Sequence, residues 1–200
     1  MLILASNSPR RKEILNKYQI EFEIIPSFVD EKLVDEKNPE RLVSKLAVLK
    51  TEQIANQYPN RLVLGADTIV FYNGIEFGKP LNDEDAYQML KKLSGNTHQV
   101  YTGVVLIKQT EKFIKSYVVK SDVKLKKLTD KEIWEYIKTK EPFDKAGSYA
   151  IQGIGARFIE FFDGSYENIV GLPYSHLLKT EFYKLPKSIK SDLIKDENNV

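Results

Sequence analysis

The sequence predicts an α/β fold with a mixed central sheet and flanking helices, and three observations support the prediction. Short apolar runs alternate with helical patterns in the N-terminal third of the chain, which is typical of strands joined by crossover helices. The dipeptide Asn73-Gly74 lies between two apolar runs and indicates a tight hairpin. Two long β-rich runs, His98–Gln109 and Lys112–Leu125, indicate a second antiparallel pair. The sheet should therefore contain both parallel and antiparallel strands.

The N-terminal third is predicted to alternate strands with helices. Its strands are Leu2–Ala5, Glu21–Pro26 and Arg61–Ala66, and its helices are Pro9–Tyr18 and Pro39–Gln57. Ser8 is a suitable N-cap for the first helix, and Pro9 fits the first helical position because its missing N–H costs nothing there. In the second helix Leu42, Leu46 and Leu49 recur at helical spacing and mark the buried face.

The C-terminal half is predicted to continue with a helix at Asp83–Leu93 and another that begins at the capping box Thr129–Glu132 and runs through Ile137. A glycine-rich loop (Gly147 to Gly155), a strand (Arg157–Phe162) and a last helix (Pro173–Tyr183) follow. We expect residues 1–183 to form a single domain, and residues 184–200 to be a polar tail that is partly disordered.

Composition narrows the function classes. A chain of 200 residues can bury about 70% of the surface that its unfolded form exposes. Its 30 basic and 28 acidic residues almost balance, which argues against a nucleic-acid partner. Without cysteine, and with His98 and His176 far apart, neither a disulfide nor a zinc site is expected. No apolar run approaches a membrane span, so we expect a soluble, cytoplasmic protein.

Arg10 and Arg11 lie in the first turn of a predicted helix, where cations are unfavourable. The helix dipole is already positive there, and each cation costs about 0.3 to 1 kcal/mol. A helix start with free N–H groups and two arginines is suited to hold an anion. Two solvated surface arginines are the alternative, and the segment alone leaves both interpretations open.

Asp67 follows the apolar run Leu62–Leu64 and is predicted to lie where the third strand ends. Ligands in open α/β sheets collect outside the carboxyl ends of strands, so a carboxylate there suits catalysis. A turn-forming aspartate is the alternative, because Asp commonly ends strands through its own backbone hydrogen bonds. The acidic pair Asp30 and Glu31 also follows a predicted strand, and solvated loop charge is the alternative there.

Lys79 and Gln152 lie in loops of unusual composition. Lys79 stands between Gly78 and Pro80, in a backbone with little freedom, although an ordinary loop lysine fits equally well. The chain has no G-x-x-x-x-G-K-[ST] motif, which argues against a Walker-type ATPase. The amide of Gln152, next to Gly153, has one acceptor and one donor for the edge of uracil or thymine. The flipped amide would match cytosine, and a surface glutamine in a turn is a further alternative.

Six segments occur in a distinctive order and spacing: Ser6–Arg11, Gly65–Val70, Gly78–Pro80, Leu93–Val104, Glu141–Gly153 and Gly164–Pro173. Together they resemble the Maf family of nucleoside triphosphate pyrophosphatases, whose members are also called septum formation inhibitors. The resemblance extends from Leu2 to about Phe182. It implies a Maf/ITPase-like mixed α/β architecture with two lobes around a deep cleft. It also implies hydrolysis of a nucleoside triphosphate to the monophosphate and pyrophosphate, assisted by Mg²⁺ or Mn²⁺.

The resemblance also assigns roles to residues of this chain. Asp67 matches the catalytic carboxylate, which accepts a proton from the attacking water and contacts the metal. Asp30 matches an acidic position after the second strand, and we expect it to contribute to the metal site. The substrate-binding positions match Ser8, Arg10, Arg11, Lys50, Lys79 and Gln152.

Gln152 matches the glutamine that marks the family branch acting on dTTP and UTP. Ser148 and Ala150 depart from residues common in that branch, and they could tune the base pocket. One alternative is the same reaction on a modified purine nucleotide such as 7-methyl-GTP, and another is a nucleotide-responsive cell-division regulator without activity. The resemblance further suggests a homodimer.

Overall fold

A computed structural model describes residues 1–194, and its strands form a mixed sheet. The strands are β1 (Leu2–Leu4), β2 (Phe22–Ile24), β3 (Val63–Tyr72), β4 (Ile75–Phe77), β5 (Thr97–Lys108), β6 (Phe113–Leu125) and β7 (Ile159–Asp163). They are ordered β2-β1-β3-β5-β6-β7, and β4 pairs with β3.

Both strand orientations occur, as the sequence predicts. Strand β1 pairs in parallel with β2 and with β3, so that Ile3 lies opposite Val63. Strands β3 and β4 form an antiparallel hairpin around Asn73-Gly74, and β6 pairs with β7 in the same sense. The prediction of a mixed α/β sheet is confirmed.

The helices are α1 (Pro9–Lys17), α2 (Pro39–Gln57), α3 (Asp83–Leu93), α4 (Asp130–Lys138), α5 (Tyr166–Val170), α6 (Tyr174–His176) and α7 (Lys187–Lys190). Side chains of Asn38 and Asn82 cap α2 and α3, and the predicted capping box of Thr129 and Glu132 opens α4. Short 3₁₀ turns occur at Glu31–Leu33, Gln109–Glu111, Glu141–Asp144, Ala146–Ser148 and Gly153–Phe158.

The chain divides into two compact units. The first unit contains Met1–Asp67, Thr102–Val118 and the chain from Gly171 onward, whereas the second contains Thr68–Tyr101 and Val119–Val170. Strands β3, β5 and β6 therefore contribute residues to both units. The predicted single domain over residues 1–183 includes both of them.

In the first unit, α2 packs closely on strands β3 and β5 because two glycines leave room for it. A Cβ atom placed on Gly65 would lie 2.0 Å from Oγ1 of Thr51, and one on Gly103 would lie 2.6 Å from the carbonyl O of Val43. Apolar side chains complete this core: Ile3, Ala5, Ala47, Ile54, Ala55, Val63, Val105 and Ile107.

The core of the second unit lies between its strands and helices α3 and α4. Leu90 and Leu93 of α3 pack in one cluster with Ile133 and Ile137 of α4. The ring of Tyr136 is fully buried in the same cluster, and it meets Phe158 edge-to-face at a centroid distance of 5.0 Å. This packing places Tyr136 beneath the glycine-rich segment.

The last predicted helix is helical but irregular. Regular α-helix ends at His176, and a π-helical turn (Leu177–Glu181) and a 3₁₀ turn (Phe182–Lys184) continue it. The hydroxyl of Thr180 donates to the carbonyl of His176 at 2.5 Å, and such back-bonding bends helices.

The predicted C-terminal tail lies partly outside the described residues. Within residues 184–194, α7 forms, and Ile189 and Leu193 are fully buried. Residues 195–200 lie outside the part of the chain that the structure describes.

Candidate active site

Asp67 lies in the middle of β3, so the prediction that the strand ends there is wrong. Strand β3 continues to Tyr72 because its distal half pairs with β4 in the Asn73-Gly74 hairpin. The parallel neighbour β1 ends at Leu4, which lies opposite Leu64. Asp67 therefore lies beyond the carboxyl end of β1, the position at which open sheets hold ligands.

A charged cluster in the first unit surrounds the carboxylate of Asp67, and we define it as Glu31, Lys50 and Asp67. The ammonium of Lys50 donates to Oδ1 of Asp67 at 2.5 Å and lies 2.8 Å from Oε1 of Glu31. Asp67 is only 7% exposed. Lys50 precedes Thr51, whose hydroxyl packs on Gly65, so the close approach of α2 to β3 delivers the ammonium to Asp67.

The structure places Glu31, and not Asp30, against Lys50. Asp30 is exposed and caps the 3₁₀ turn that follows it, with its Oδ1 accepting from the N–H of Lys32 at 3.1 Å. The resemblance assigns the acidic position to Asp30, whereas the residue pattern alone does not distinguish the two adjacent carboxylates, because each could face the site. Spacing along the chain carries no signal for the contact, since Glu31 and Lys50 belong to separate elements.

Arg11 joins two loops of the first unit. Its Nη1 donates to Oγ of Ser6 at 2.9 Å, and its Nε donates to the carbonyl of Gly171 at 2.9 Å. Ser8 occupies the predicted N-cap position of α1, but its side chain does not cap the helix, and its N–H donates to Ser6 instead. Arg10 follows in the first turn and is half-buried.

The charges of this region shift two pKa values. Burial raises the pKa of Asp67 above its usual range, although the positive charges of Lys50 and Arg11 oppose the shift. Burial lowers the pKa of Arg11, and the charge of Arg10 lowers it further, whereas Asp67 raises it. A buried carboxylate of raised pKa is a stronger base than a solvated one, and it is suited to accept a proton.

Lys79 and Gln152 belong to the second unit. Lys79 is exposed, and the carbonyl of the preceding Gly78 accepts from the N–H of Gly147 at 3.0 Å. Gln152 is partly exposed, and its side chain does not cap the 3₁₀ turn that follows. Its amide can therefore serve another partner.

Asp67 and Glu31 are the two carboxylates of the charged cluster, and carboxylate oxygens are the ligands that Mg²⁺ prefers. Both carboxylates already share one cation, the ammonium of Lys50. No group of three or more His, Cys, Asp or Glu residues that could hold a metal occurs within residues 1–194. Mg²⁺ is usually held by one or two carboxylates together with substrate phosphates, so this pair fits a metal that arrives with a phosphate.

Each of the two histidines contacts a tyrosine. His98 is fully buried in the second unit, where its Nε2 lies 2.6 Å from the hydroxyl of Tyr149. His176 lies in the first unit and stacks on Tyr117 at a centroid distance of 5.3 Å.

Comparison with known proteins gives one matching family and relatives that share one name. A family described as Maf-like protein matches residues 1–180. A dTTP/UTP pyrophosphatase of Caldicellulosiruptor bescii is 48% identical over 180 residues, which cover 88% of this chain and 90% of that protein. A protein of the same name from Alkaliphilus metalliredigens is 49% identical over 177 residues, covering 88% and 92% of the two chains.

Among solved structures, the Staphylococcus aureus Ham1 protein matches with a TM-score of 0.44 and 15% identity, over 96% of this chain and 90% of that one. At this level the likeness says nothing about activity. Within residues 1–194, no helix is long and apolar enough to cross a membrane.

Proposed function

The chain belongs to the Maf-like protein family, and we propose that it hydrolyses dTTP and UTP to the monophosphate and pyrophosphate. Relatives with that activity in their names are 47–49% identical over most of the chain. The structural observation that supports the proposal is the buried carboxylate of Asp67, held at 2.5 Å by the ammonium of Lys50 and exposed to the positive charge of Arg11.

In this proposal Asp67 accepts a proton from the water that attacks the α-phosphorus. A general base must reach that water within hydrogen-bond distance, and a carboxylate of raised pKa suits the role. Lys50 orients the carboxylate. Lys50 also offsets the negative charge that Asp67 and Glu31 would otherwise present to a polyanionic substrate.

A divalent metal, Mg²⁺ or Mn²⁺, would be held by Asp67 together with Glu31 or Asp30, and it would neutralise phosphate charge when bound. Arg10 and Arg11, at the start of α1, would bind phosphate oxygens, with Ser8 in the same loop. Because Arg11 already donates to Ser6 and Gly171, it fixes the shape of this loop as well as its charge.

Lys79 and Gln152 are proposed to act on the same class of substrate from the second unit. Lys79 would bind a phosphate oxygen and stabilise the departing pyrophosphate. Gln152 would read the N–H and carbonyl edge of uracil or thymine with its amide. Cytosine reverses one donor and one acceptor on that edge, so the proposal predicts poorer hydrolysis of CTP.

The test is pyrophosphate release from a panel of triphosphates, with Mg²⁺ and with Mn²⁺. We expect dTTP and UTP to be the preferred substrates and chelation to abolish turnover. Preference for a purine such as 7-methyl-GTP would overturn the role of Gln152. Absence of metal-dependent turnover on every triphosphate would overturn the enzymatic proposal and favour a nucleotide-responsive regulator.

The homodimer expected from the resemblance remains a prediction. Light scattering of the full chain gives the mass directly, and a mass near twice 23.1 kDa is the expected result. A monomer would contradict the expectation without affecting the proposed chemistry.

A further inference from the structure

Residues 150–155 of the second unit form a short loop, the Gln152 loop, whose two ends come together. A Cβ atom placed on Gly155 would lie 3.0 Å from the backbone N of Ala150. Gly153 has a φ of +71°, which bends the chain directly after Gln152 and favours glycine. Gln152 therefore lies on a tight turn, and the conformation of this turn depends on the contacts made by residues 153–155.

The carboxylate of Glu141 binds the backbone at the end of this turn. Its Oε2 accepts from the N–H of Ile154 at 2.9 Å, and its Oε1 accepts from the N–H of Gly155 at 2.9 Å. Two consecutive backbone donors thus converge on one carboxylate. Hydrogen bonds to an ionised acceptor are roughly twice as strong as neutral ones, so this contact is a firm anchor.

Tyr136 holds Glu141 in turn. Its hydroxyl donates to Oε1 of Glu141 at 2.9 Å, and its ring is fully buried against Phe158. A Cβ atom on Gly155 would lie 2.5 Å from the same hydroxyl. The core of the second unit therefore sets the position of Glu141, and Glu141 sets the position of the loop.

The other end of the glycine-rich segment is also tethered. The hydroxyl of Tyr149 lies 2.6 Å from Nε2 of the buried His98. Farther along, the N–H of Gly147 donates to the carbonyl of Gly78, next to Lys79, at 3.0 Å. Gln152 lies between the Tyr149 tether and the Glu141 anchor, while its own side chain caps nothing in the turn that follows.

We propose that Glu141 is a positioning residue for base recognition: its carboxylate fixes the Gln152 loop so that the amide of Gln152 reaches the substrate from one position. This inference rests on the proposed function. Glu141 itself touches neither substrate nor reacting atoms. It acts through the backbone of Ile154 and Gly155, two and three residues beyond the amide.

The physical reason is that an amide distinguishes uracil from cytosine only when its position is fixed. A glutamine on a mobile backbone can bring its oxygen or its nitrogen to a base edge from several positions, and so accepts uracil and cytosine alike. Recognition groups lose their selectivity when the structure around them allows shifts of about 1 Å. The anchor at Glu141 removes the backbone freedom on which such a shift depends.

The experiment compares Glu141→Gln with Glu132→Gln in the full chain. Glu132 is a matched control, because its Oε2 accepts from the N–H of Thr129 at 2.8 Å and from its hydroxyl at 2.7 Å, at the start of α4. Each substitution turns a carboxylate that accepts backbone and hydroxyl hydrogens into an amide. Only Glu141 fastens the Gln152 loop.

For Glu141→Gln we expect KM for dTTP and UTP to rise about tenfold, with kcat changed less than about threefold. The preference for UTP over CTP should fall about tenfold, and amide hydrogen exchange at residues 150–155 should accelerate. Glu132→Gln should lower the melting temperature but keep KM, nucleotide preference and exchange in that loop. Tyr136→Phe should follow Glu141→Gln to a smaller extent, and it takes its place if Glu141→Gln does not fold.

The outcomes separate the inference from the function on which it rests. If the wild-type chain hydrolyses dTTP and UTP but Glu141→Gln matches Glu132→Gln in KM and preference, the inference is overturned and the function stands. If the wild-type chain hydrolyses neither nucleotide, the proposed function fails and the inference fails with it.

Discussion

The charged cluster of the first unit and the Gln152 loop of the second unit hold their polar groups in different ways. In the cluster, side chains bind side chains: the ammonium of Lys50 is shared by Asp67 and Glu31. In the loop, one carboxylate binds the backbone, and the residue proposed to act, Gln152, is left without a cap contact. The cluster brings charged groups together, whereas the contacts of the loop hold its backbone in one conformation.

Under the proposed function, the cluster would act on phosphate groups and the loop on a base edge, and these two groups are recognised in different ways. A triphosphate is recognised through charge, which tolerates small displacements, because Coulomb attraction falls off gradually with distance. A base edge is neutral and is recognised by the direction of hydrogen bonds, which weaken steeply when misaligned. We therefore expect substitutions in the cluster to change turnover, and substitutions around the loop to change substrate preference.

The largest effect should come from Asp67→Asn, which tests the comparison most directly. The amide keeps the size of the side chain but cannot accept the proton from water, so kcat should fall about 10³-fold. The preference for UTP over CTP should change little, since the Gln152 loop is untouched, and much of the affinity for dTTP should remain, since the proposed phosphate-binding cations are kept. Steady-state kinetics and binding of a non-hydrolysable dTTP analogue measure both quantities.

Lys50→Met is a second variant for this test, because it removes the charge that orients Asp67 but keeps the carboxylate that would accept the proton. Its loss of turnover should be smaller than that of Asp67→Asn. Near-normal turnover in Asp67→Asn would remove Asp67 from the proposed role.

His98 gives the second-largest expected effect, on stability and not on turnover. Burial lowers the pKa of His98 to about 4 from its ordinary 6.5. The unfolded chain therefore takes up a proton below pH 6.5 that the folded chain refuses until about pH 4. The contribution to stability is complete above pH 6.5 and is lost as the pH falls toward 4.

Urea unfolding at pH 7.5 and at pH 4.5 measures this loss. His98→Gln cannot titrate but can still hydrogen-bond to Tyr149. Between the two pH values, the unfolding free energy of the wild type should fall by roughly 2 to 3 kcal/mol more than that of His98→Gln. Equal losses would show that His98 is protonated normally in the folded chain and that burial does not lower its pKa.

Gly65→Ala should give the next effect, on the spacing that builds the charged cluster. The new Cβ would lie 2.0 Å from Oγ1 of Thr51, so α2 must move away from β3. Overpacking of this kind costs about 2 kcal/mol. Turnover should fall as well, because Lys50 moves with Thr51, whereas the preference for UTP over CTP should not change.

Gly78→Ala is the control for stability, since a Cβ there meets nothing within 4 Å. Its unfolding free energy should stay within about 0.5 kcal/mol of the wild type. Adding Thr51→Ala to Gly65→Ala removes the closest contact and should recover part of the loss. No recovery would mean that the cost does not arise from α2.

The sequence predicted the fold well where local patterns decide it. The capping box of Thr129 and Glu132 opens α4, and the Asn73-Gly74 turn joins two antiparallel strands. The end of β3 was predicted wrongly because Asp67 interrupts an apolar run, and the pairing with β4 overrides that break. The predicted last helix (Pro173–Tyr183) is irregular in the structure, and nothing in the sequence pattern reveals the back-bonding of Thr180.

The candidate site was less accessible to sequence reasoning. The sequence singles out Asp67, Lys50 and Arg11, but the packing of α2 on Gly65 is what brings the ammonium of Lys50 to the buried carboxylate. The sequence motif that contains Glu141 indicates no role for it, because its two N–H partners lie 13 and 14 residues away across an irregular segment. Contacts between side chain and distant backbone leave no periodic signal in a sequence.

The smallest effect distinguishes the two adjacent carboxylates, Asp30 and Glu31. Glu31 lies 2.8 Å from the ammonium of Lys50, whereas Asp30 caps its own turn at the surface. If the charged cluster works through shared cations, Glu31→Gln should lower kcat/KM about tenfold and raise the concentration of Mg²⁺ needed for half-maximal rate.

Asp30→Asn is the matched control, because asparagine caps turns as well as aspartate does. Its kcat/KM should stay within about twofold of the wild type, a change too small to reflect loss of a metal contact. The family resemblance assigns the acidic role to Asp30, whereas the contact with Lys50 favours Glu31. The two variants therefore test which carboxylate has this role. If Asp30→Asn shows the larger dependence on Mg²⁺, the loop from Asp30 to Leu33 must rearrange when substrate binds, and the contact between Glu31 and Lys50 belongs to the free protein alone.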